Sequence, residues 1–572
     1  MFNRGGRQAR PPLYPSDPMN PRILSLLAAC ILTIGPAAAP AEERPVRLHT
    51  LDEMNTAAAP LNSHAGAERY SVLESVRAYR QLLPAEKLKT DRTAIYPRIK
   101  RMADGRYILF VQGGQIASRI YYCTSDDLLH WSDTQILFEP YAVTTSEGSD
   151  TRCFSTVDAV VLADGDLLAA CSFRAAKGYK HNVGCGIMLR RSRDNGATWS
   201  DEEIIFEGTN WEPYLLQLPD GRIQCYFTDC LPATRNSGTS VITSTDNGRT
   251  WHGHMRVCRQ YKYDDKGVRI FTDQMPCFRL LNDGETLFGF PDGPQGSSIY
   301  TMSTVRNRGF DWQPLGENTA GPADRETNLF KGCAGYVSTF PSGEIVVSCN
   351  IDRLFSLKIG DSRGRVFNGR SWDEDWYRPF DGKGFWGSLE PMDAHRVIGT
   401  MHCDEGIQIG VFYLNHRIDA PKARIRPDGD GREWRSDQAL FIGSDSPTET
   451  IFRACHDGKR LYLLAEQLDP ASTGGAEIRL SVECGGRRVD LTIAPEGSVA
   501  SPIPGVRGAS RAGLTPTGVP GRATEIAVPL AALQARPGDT LRFNATVRSG
   551  AVEDGFTAAT DDPETWMRIE LK

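Results

Sequence analysis

One pattern recurs six times along the chain: a short apolar run, a turn dipeptide, then a β-rich run. The turns are Asp104-Gly105, Asp164-Gly165, Asp220-Gly221, Asp283-Gly284, Ser342-Gly343 and Asp393-Ala394, spaced by 60, 56, 63, 59 and 51 residues. Five of them carry glycine, which takes the positive φ of a tight turn between strands. A period of this length, built from hairpins with no convincing helical stretch between them, marks a four-stranded blade repeated around an axis. The fold class expected is all-β: a six-bladed β-propeller over residues 90–416, whose ring leaves no exposed sheet edges.

A second repeat lies between the hairpins. Ser192-Arg193-Asp194-Asn195-Gly196-Ala197-Thr198-Trp199 and Ser244-Thr245-Asp246-Asn247-Gly248-Arg249-Thr250-Trp251 share the form S-x-D-x-G-x-T-W. Degenerate copies end at Trp131, with Thr124 and Asp126 read as the polar positions, and at Trp312, where Asn307 and Gly309 survive. The form describes a stapled turn: the Asp carboxylate accepts backbone N–H groups, glycine takes positive φ, and Trp fills the space between strands. These residues are structural.

The octapeptides resemble the Asp-boxes of the sialidase (neuraminidase) superfamily, six-bladed propellers that mostly cleave terminal sugars from glycans. The resemblance covers residues 90–416. Because a fold does not fix a reaction, the site has to be read separately.

Residues an even number of places before each turn share one face of the innermost strand. Six places back stand Arg98, Asp158 and Tyr336, eight back Glu212, and ten back Asp273. A cation, three carboxylates and a phenol are an odd set for a dry core. The sixth repeat offers Glu390 and Trp386, the latter one place out of register.

Arg98, in Tyr96-Pro97-Arg98-Ile99, resembles the first arginine of the sialidase clamp on the substrate carboxylate, a task suited to a planar guanidinium. Glu212, in Trp211-Glu212-Pro213, resembles the glutamate that polarises a tyrosine nucleophile in sialidases, and the acid/base glutamate of related exo-arabinanases. Tyr336 falls where the resemblance puts that nucleophile, and Asp158 and Asp273 are the candidate general acids. Trp211, Trp386, Arg152 and Arg325 complete the expected substrate contacts. The family's second and third clamp arginines are missing: those stretches read Gln224-Cys225-Tyr226-Phe227-Thr228-Asp229 and Pro294-Gln295-Gly296-Ser297-Ser298. Arg152, Arg279 or Arg325 could substitute from elsewhere. The expected substrate is therefore a terminal sugar other than sialic acid, with Arg98 holding a uronate or a ring hydroxyl.

Beyond residue 416 the period stops, and Ala420-Pro421-Lys422-Ala423 reads as a linker to a β-sandwich over residues 424–572. A Gly/Pro/Ser-rich stretch from Ala500 to Gly521 is expected to be a long loop. Trp434 followed by Asp457-Gly458-Lys459-Arg460-Leu461-Tyr462 resembles family 9 carbohydrate-binding modules, with Trp434 open to a core or a sugar-stacking role. The joint between the two parts is expected to be separable, residues 42–416 acting alone on small substrates.

At the other end, the apolar run of about 13 residues from Ile23 to Gly35 falls short of the roughly 20 a membrane span needs. Arg22 before it and Ala39-Pro40-Ala41 after it make residues 1–41 a secretory signal, with a secreted or periplasmic product. Leu27-Ala28-Ala29-Cys30 is an alternative lipoprotein site. Losing Arg4, Arg7, Arg10 and Arg22 against Asp17 moves the net charge from −6 to −9, which excludes a strongly basic nucleic-acid binder and disfavours anionic membranes. The 14 cysteines show no metal-type spacing and sit in strand-like runs, where small core residues outnumber bridge partners. No metal and no cofactor are expected. Two function classes follow: an exo-acting glycoside hydrolase, with a true exo-α-sialidase as its variant, or a non-catalytic glycan-binding propeller.

Overall fold

The computed structural model describes residues 73–74 and 80–572, except 115–117, 231–236, 260–272, 295–299, 314, 316–323, 341–343, 361–362, 366–371, 373–375, 381–382, 394–395, 415–416, 435–437, 443–446, 469–474, 518–519, 557–560, 562 and 564–565. The expected signal segment, Ser342-Gly343 and Asn415-His416 lie outside the described residues. The chain is all-β. Its six propeller blades begin with the strands Ala94–Arg101, Gly148–Val161, Asn210–Gln217, Phe278–Leu280, Cys333–Thr339 and Gly384–Pro391. Each of these first strands neighbours the next, and the sixth neighbours the first. The sixth sheet also takes in Arg80–Pro84, paired antiparallel with Gly406–Leu414, so the propeller starts ahead of residue 90.

The first strands share an irregularity that decides where side chains go. In five blades the pairing shifts by one residue, between Ile95 and Arg98, Ser155 and Asp158, Trp211 and Tyr214, Cys333 and Tyr336, and Phe385 and Ser388. Each bulge begins on a residue of positive φ: Tyr96, Thr156, Glu212, Ala334 and Trp386, with Met275 at the matching place in the fourth blade. Non-glycine residues held there cost on the order of 1–3 kcal/mol each. Proline follows in Tyr96-Pro97, Glu212-Pro213 and Met275-Pro276, because the second bulge position has no ladder bond for an N–H to make.

What holds the strained residues is a side chain from the preceding blade. Thr156 N–H donates to Gln112 Oε1 (2.7 Å), Met275 N–H to Thr228 Oγ1 (3.0 Å), Ala334 N–H to Asp292 Oδ2 (2.5 Å) and Trp386 N–H to Asn350 Oδ1 (3.1 Å). Gln112, Thr228, Asp292 and Asn350 occupy one equivalent position, opposite Ile95, Trp211, Gln274 and Cys333. Glu212 N–H uses Thr156 Oγ1 instead (3.1 Å). Each of the first five blades thus fixes the bulge of the next.

The octapeptides form the stapled turns expected of them. Asp194 accepts from Ser192 Oγ (2.8 Å), Thr198 N–H (2.8 Å) and Thr198 Oγ1 (2.5 Å), which hold its carboxyl down at about 2, and Asp246 repeats the set with Ser244 and Thr250. Gly196 and Gly248 have φ of 80° and 81°. In the first blade the polar pair is Ser125 and Asp127, not Thr124 and Asp126: Asp127 Oδ1 accepts Leu129 and His130 N–H, and this turn is one residue shorter before its Trp.

The C-terminal part has two sheets around a common core that includes Leu440, Phe452 and Leu463 from one and Ile478, Leu480 and Phe543 from the other. Two readings change. The expected linker Ala420-Pro421-Lys422-Ala423 begins on the last residue of a strand, Arg417–Ala420, parallel to Met567–Leu571, and its Lys422 bridges His456. The expected loop contains an edge strand, Arg507–Leu514, paired along its length with Pro520–Pro529, since small side chains and glycines fit an exposed edge. Trp434 is core, packed with Ile425, Tyr462 and Leu464, its Nε1–H donating to Glu525 Oε1 (2.7 Å). The 13 described cysteines are free, most of them buried.

Phe441, Ile451 and Leu468 of the C-terminal part join one apolar cluster with Leu83, Ile407, Ile409 and Val411 of the sixth blade. This shared cluster is an argument against the clean separation expected from the sequence. Phe441→Ala is expected to destabilise the chain by about 3 to 5 kcal/mol in urea unfolding, and a fragment ending at residue 416 to melt well below the full chain. A fragment with the full-length melting temperature would contradict a shared core.

Candidate functional site

The bulges gather unlike groups at one end of the propeller axis. Glu212 is the only carboxylate among the six bulge residues of positive φ, and it is half-buried. Its Oε2 accepts from Thr228 Oγ1 (2.5 Å), the hydroxyl that also takes Met275 N–H. Burial raises its proton affinity, and the Thr228 bond, Met275 N–H, Arg174 and Arg98 act against that rise. Two further carboxyls stand in its field. Asp273 is ion-paired to Arg325, both side chains buried. Asp292, 2% exposed, is pushed up to about 8 by burial and by the neighbouring Glu212 and Asp273, and its Oδ1 has no hydrogen-bond partner among the described residues.

Aromatic rings flank this group. Trp386 stacks on His402 at 5.4 Å between centroids and lies 6.1 Å from Tyr96. Arg98 is buried with its guanidinium 3.8 Å from the Tyr96 centroid, and its Nη1 donates to the carbonyls of Pro97, Trp386 and Gly387 (2.8, 3.0 and 3.1 Å). These bonds tie the first bulge to the sixth.

Further along the same strands lies a buried polar layer. Lys100 Nζ donates to Tyr336 Oη (2.9 Å) and pairs with Asp158 Oδ1 (3.3 Å), and Tyr336 Oη donates to the same Asp158 oxygen (3.1 Å). Glu390 Oε2 lies 3.8 Å from both Lys100 Nζ and Arg279 Nη2. Two cations and two carboxylates balance here. Tyr336 is 2% exposed, and its phenol is raised well above the usual range by burial and then by Asp158.

The structure therefore divides the expected site residues. Glu212, Arg98 and Trp386 lie at the bulges, with Trp211 buried just before Glu212 and Asp273, paired with Arg325, two residues before Met275. Asp158 and Tyr336 belong to the inner layer. Arg152 packs on Phe173 (4.3 Å) and donates to Tyr141 Oη (3.1 Å). Trp386 is in register after all: the Met392 N–H to Arg396 bond matches Met102 to Arg106, so Met392 takes the place of Met102. Sequence reading missed Asp292, Arg174 and Lys100. Counting four places back from the turns reaches Lys100, Arg279 and Glu390, whereas Asp292 and Arg174 sit on other strands, beyond any count along the first.

The fold and these bulges define an all-β protein whose six blades follow one another around an axis. Residues 78–272 match the family model of the BNR repeat-like domain, in line with the sialidase-like Asp-boxes. No curated protein matches. Among solved structures, a protein of unknown function from Dyadobacter fermentans is similar at 14% identity and a TM-score of 0.45, over 60% of this chain and 99% of that one. The GH93 α-L-arabinofuranosidase of Fusarium graminearum in complex with arabinobiose is similar at 16% identity and a TM-score of 0.43, over 61% and 98%. A mutant of the NanB sialidase from Streptococcus pneumoniae is similar at 11% and 0.39, over 59% and 70%. No helix among the described residues is long and apolar enough to cross a membrane.

The inner layer makes a direct prediction. Lys100→Met leaves Asp158 and Glu390 short of a counter-charge in a buried setting, so unfolding by urea is expected to show a loss of about 3 to 5 kcal/mol. Adding Asp158→Asn is expected to return part of it. A loss below about 1 kcal/mol would mean that the layer behaves as a solvated surface pair.

Proposed function

We propose that the protein is an exported, exo-acting glycoside hydrolase that releases a terminal sugar from glycans. The observation that carries this reading is Glu212: a half-buried carboxylate in a strained backbone conformation at the propeller mouth, with its protonation tuned by neighbours. The strain at six matching positions belongs to the framework, and at Glu212 alone among them it holds a carboxylate. Glu212 is assigned the proton transfer to the glycosidic oxygen and from water, for which burial sets a carboxyl nearer to neutral pH. Asp273, fixed by Arg325, adds negative potential where positive charge develops at the anomeric carbon. Asp292 acts through Glu212: while protonated it leaves Glu212 its charge, and once ionised it opposes that charge. Trp386, which is partly exposed, offers an apolar face for a sugar ring.

A non-catalytic glycan-binding propeller is the second reading. It is favoured by Tyr336, whose buried and doubly bonded phenol is poorly placed as a nucleophile. An exo-α-sialidase fits less well, because Arg98 Nη1 is engaged by three carbonyls.

Glu212→Gln is expected to lower release of aryl-glycosides or natural glycans by about 10² to 10⁴-fold with an unchanged melting temperature. Full turnover in that variant would remove Glu212 from the mechanism. Asp292 gives a pH signature. Its proton is bound more tightly in the folded than in the unfolded chain, so its contribution to stability is full below about pH 4 and is lost as pH rises towards 8. Asp292→Asn keeps an acceptor for Ala334 N–H, as Asn350 does for Trp386. It is expected to flatten the loss of stability over that range and to remove the fall in activity above about pH 8. An unchanged alkaline limb would assign that limb to another group.

A further inference from the structure

Most buried arginines of the propeller are matched to acceptors. Arg98 has three carbonyls, Arg325 has Asp273, Arg256 has Asp229, and Arg306 has Asp324, Glu326 and the carbonyls of Arg363 and Gly364. Arg174 is not. It is 7% exposed, and among the described residues its one hydrogen bond runs from Nη2 to Ser155 Oγ (3.1 Å) and no carboxylate pairs with it. Its guanidinium lies 4.9 Å from the centroid of the Tyr179 ring. None of its nitrogens is among the atoms sealed from solvent without a partner, so the remaining N–H donors are open to an incoming acceptor.

Its place in the fold says what that is. Arg174 stands in the strand Leu167–Ala175, opposite Cys153 and Cys185, two residues beyond Ser172, whose hydroxyl bonds Thr156 Oγ1 of the second bulge and Asn210. Its charge is among those that act on Glu212, yet the two form no ion pair. Arg325 is paired with Asp273 and Arg98 bonds three carbonyls, so Arg174 is the cation beside Glu212 that has a single neutral acceptor among the described residues.

We infer that Arg174 is a specificity-determining residue that receives the carboxylate of a hexuronate at the non-reducing end of the glycan. A planar carboxylate takes two N–H groups of the guanidinium fork side by side, which a hydroxyl or an axial substituent does not. The sugar ring then spans from Arg174 to Glu212, and its carboxylate supplies the partner that Arg174 does not find among the described residues. The inference rests on reading this mouth as a sugar site, and it moves the role expected for Arg98 to a residue with donors to spare.

The test is binding rather than turnover. Sodium D-glucuronate and D-galacturonate, D-glucose and D-galactose are titrated into the full chain by calorimetry or saturation-transfer NMR. At least one uronate is expected to bind about tenfold more tightly than its neutral counterpart. Arg174→Met is expected to abolish that difference without moving the melting temperature, and Arg174→Lys to keep part of it. Equal affinity for uronates and neutral sugars, a preference that survives Arg174→Met, or equal displacement by inorganic sulfate would each overturn the inference. Arg174-dependent uronate binding without cleavage of any glycoside would leave it standing and remove the hydrolase reading. Cleavage of neutral sugars alone would do the reverse.

Discussion

The side-chain bond from one blade to the strained N–H at the start of the next blade's bulge is the interaction on which this propeller depends. A first strand has to pass from a dry axis to a wet mouth, and a regular strand would carry its pleat unchanged through that boundary. The bulge breaks the alternation and re-aims one residue per blade. Left-handed backbone at Tyr96, Thr156, Glu212, Met275, Ala334 and Trp386 is costly. Gln112, Thr228, Asp292 and Asn350 offset that cost from outside the strand, each bond contributing about 1 kcal/mol or more in a buried setting. Three of these holders are neutral amides or hydroxyls. Asp292 does the same work with a carboxyl, and so links the geometry of the fifth bulge to a protonation state.

Burial then sorts the ionisable groups into two kinds. In the inner layer Lys100, Asp158, Tyr336, Glu390 and Arg279 answer one another, so the layer locks blades together and has no charge left to offer. At the mouth, Arg174 has a single neutral acceptor among the described residues and Glu212 keeps partial access to solvent. The first arrangement is what a framework needs. The second is what a site for a polar, partly charged ligand needs, because the missing partner is supplied from outside.

Much of the fold was legible in the sequence because turns and Asp-boxes are local. Asp-Gly at the hairpins and Ser-x-Asp-x-Gly-x-Thr-Trp between the blades each describe bonds within a few residues, and the side chains make those bonds. Parity counting reached Arg98, Asp158, Glu212 and Tyr336 but assumed an unbroken pleat. With an extra residue in each strand, Glu212 and Tyr336 separate into different layers. The prolines of Tyr96-Pro97 and Glu212-Pro213 were the visible trace of that residue. Asp292 and Arg174 left no such trace, since their meaning comes from a neighbouring blade. The C-terminal joint was hidden for the same reason: Phe441 and Ile451 read as ordinary strand residues until Ile409 and Val411 stand against them.

The central claim is that the mouth around Glu212 shortens glycans from one end. Mass spectrometry of defined oligosaccharide pools, neutral and uronate-terminated, incubated with the purified full-length protein, tests it most directly. The account predicts the loss of a single terminal residue per chain, recovered as the free sugar, with internal linkages intact. Unchanged masses across the pools, or fragments cut from chain interiors, would contradict it.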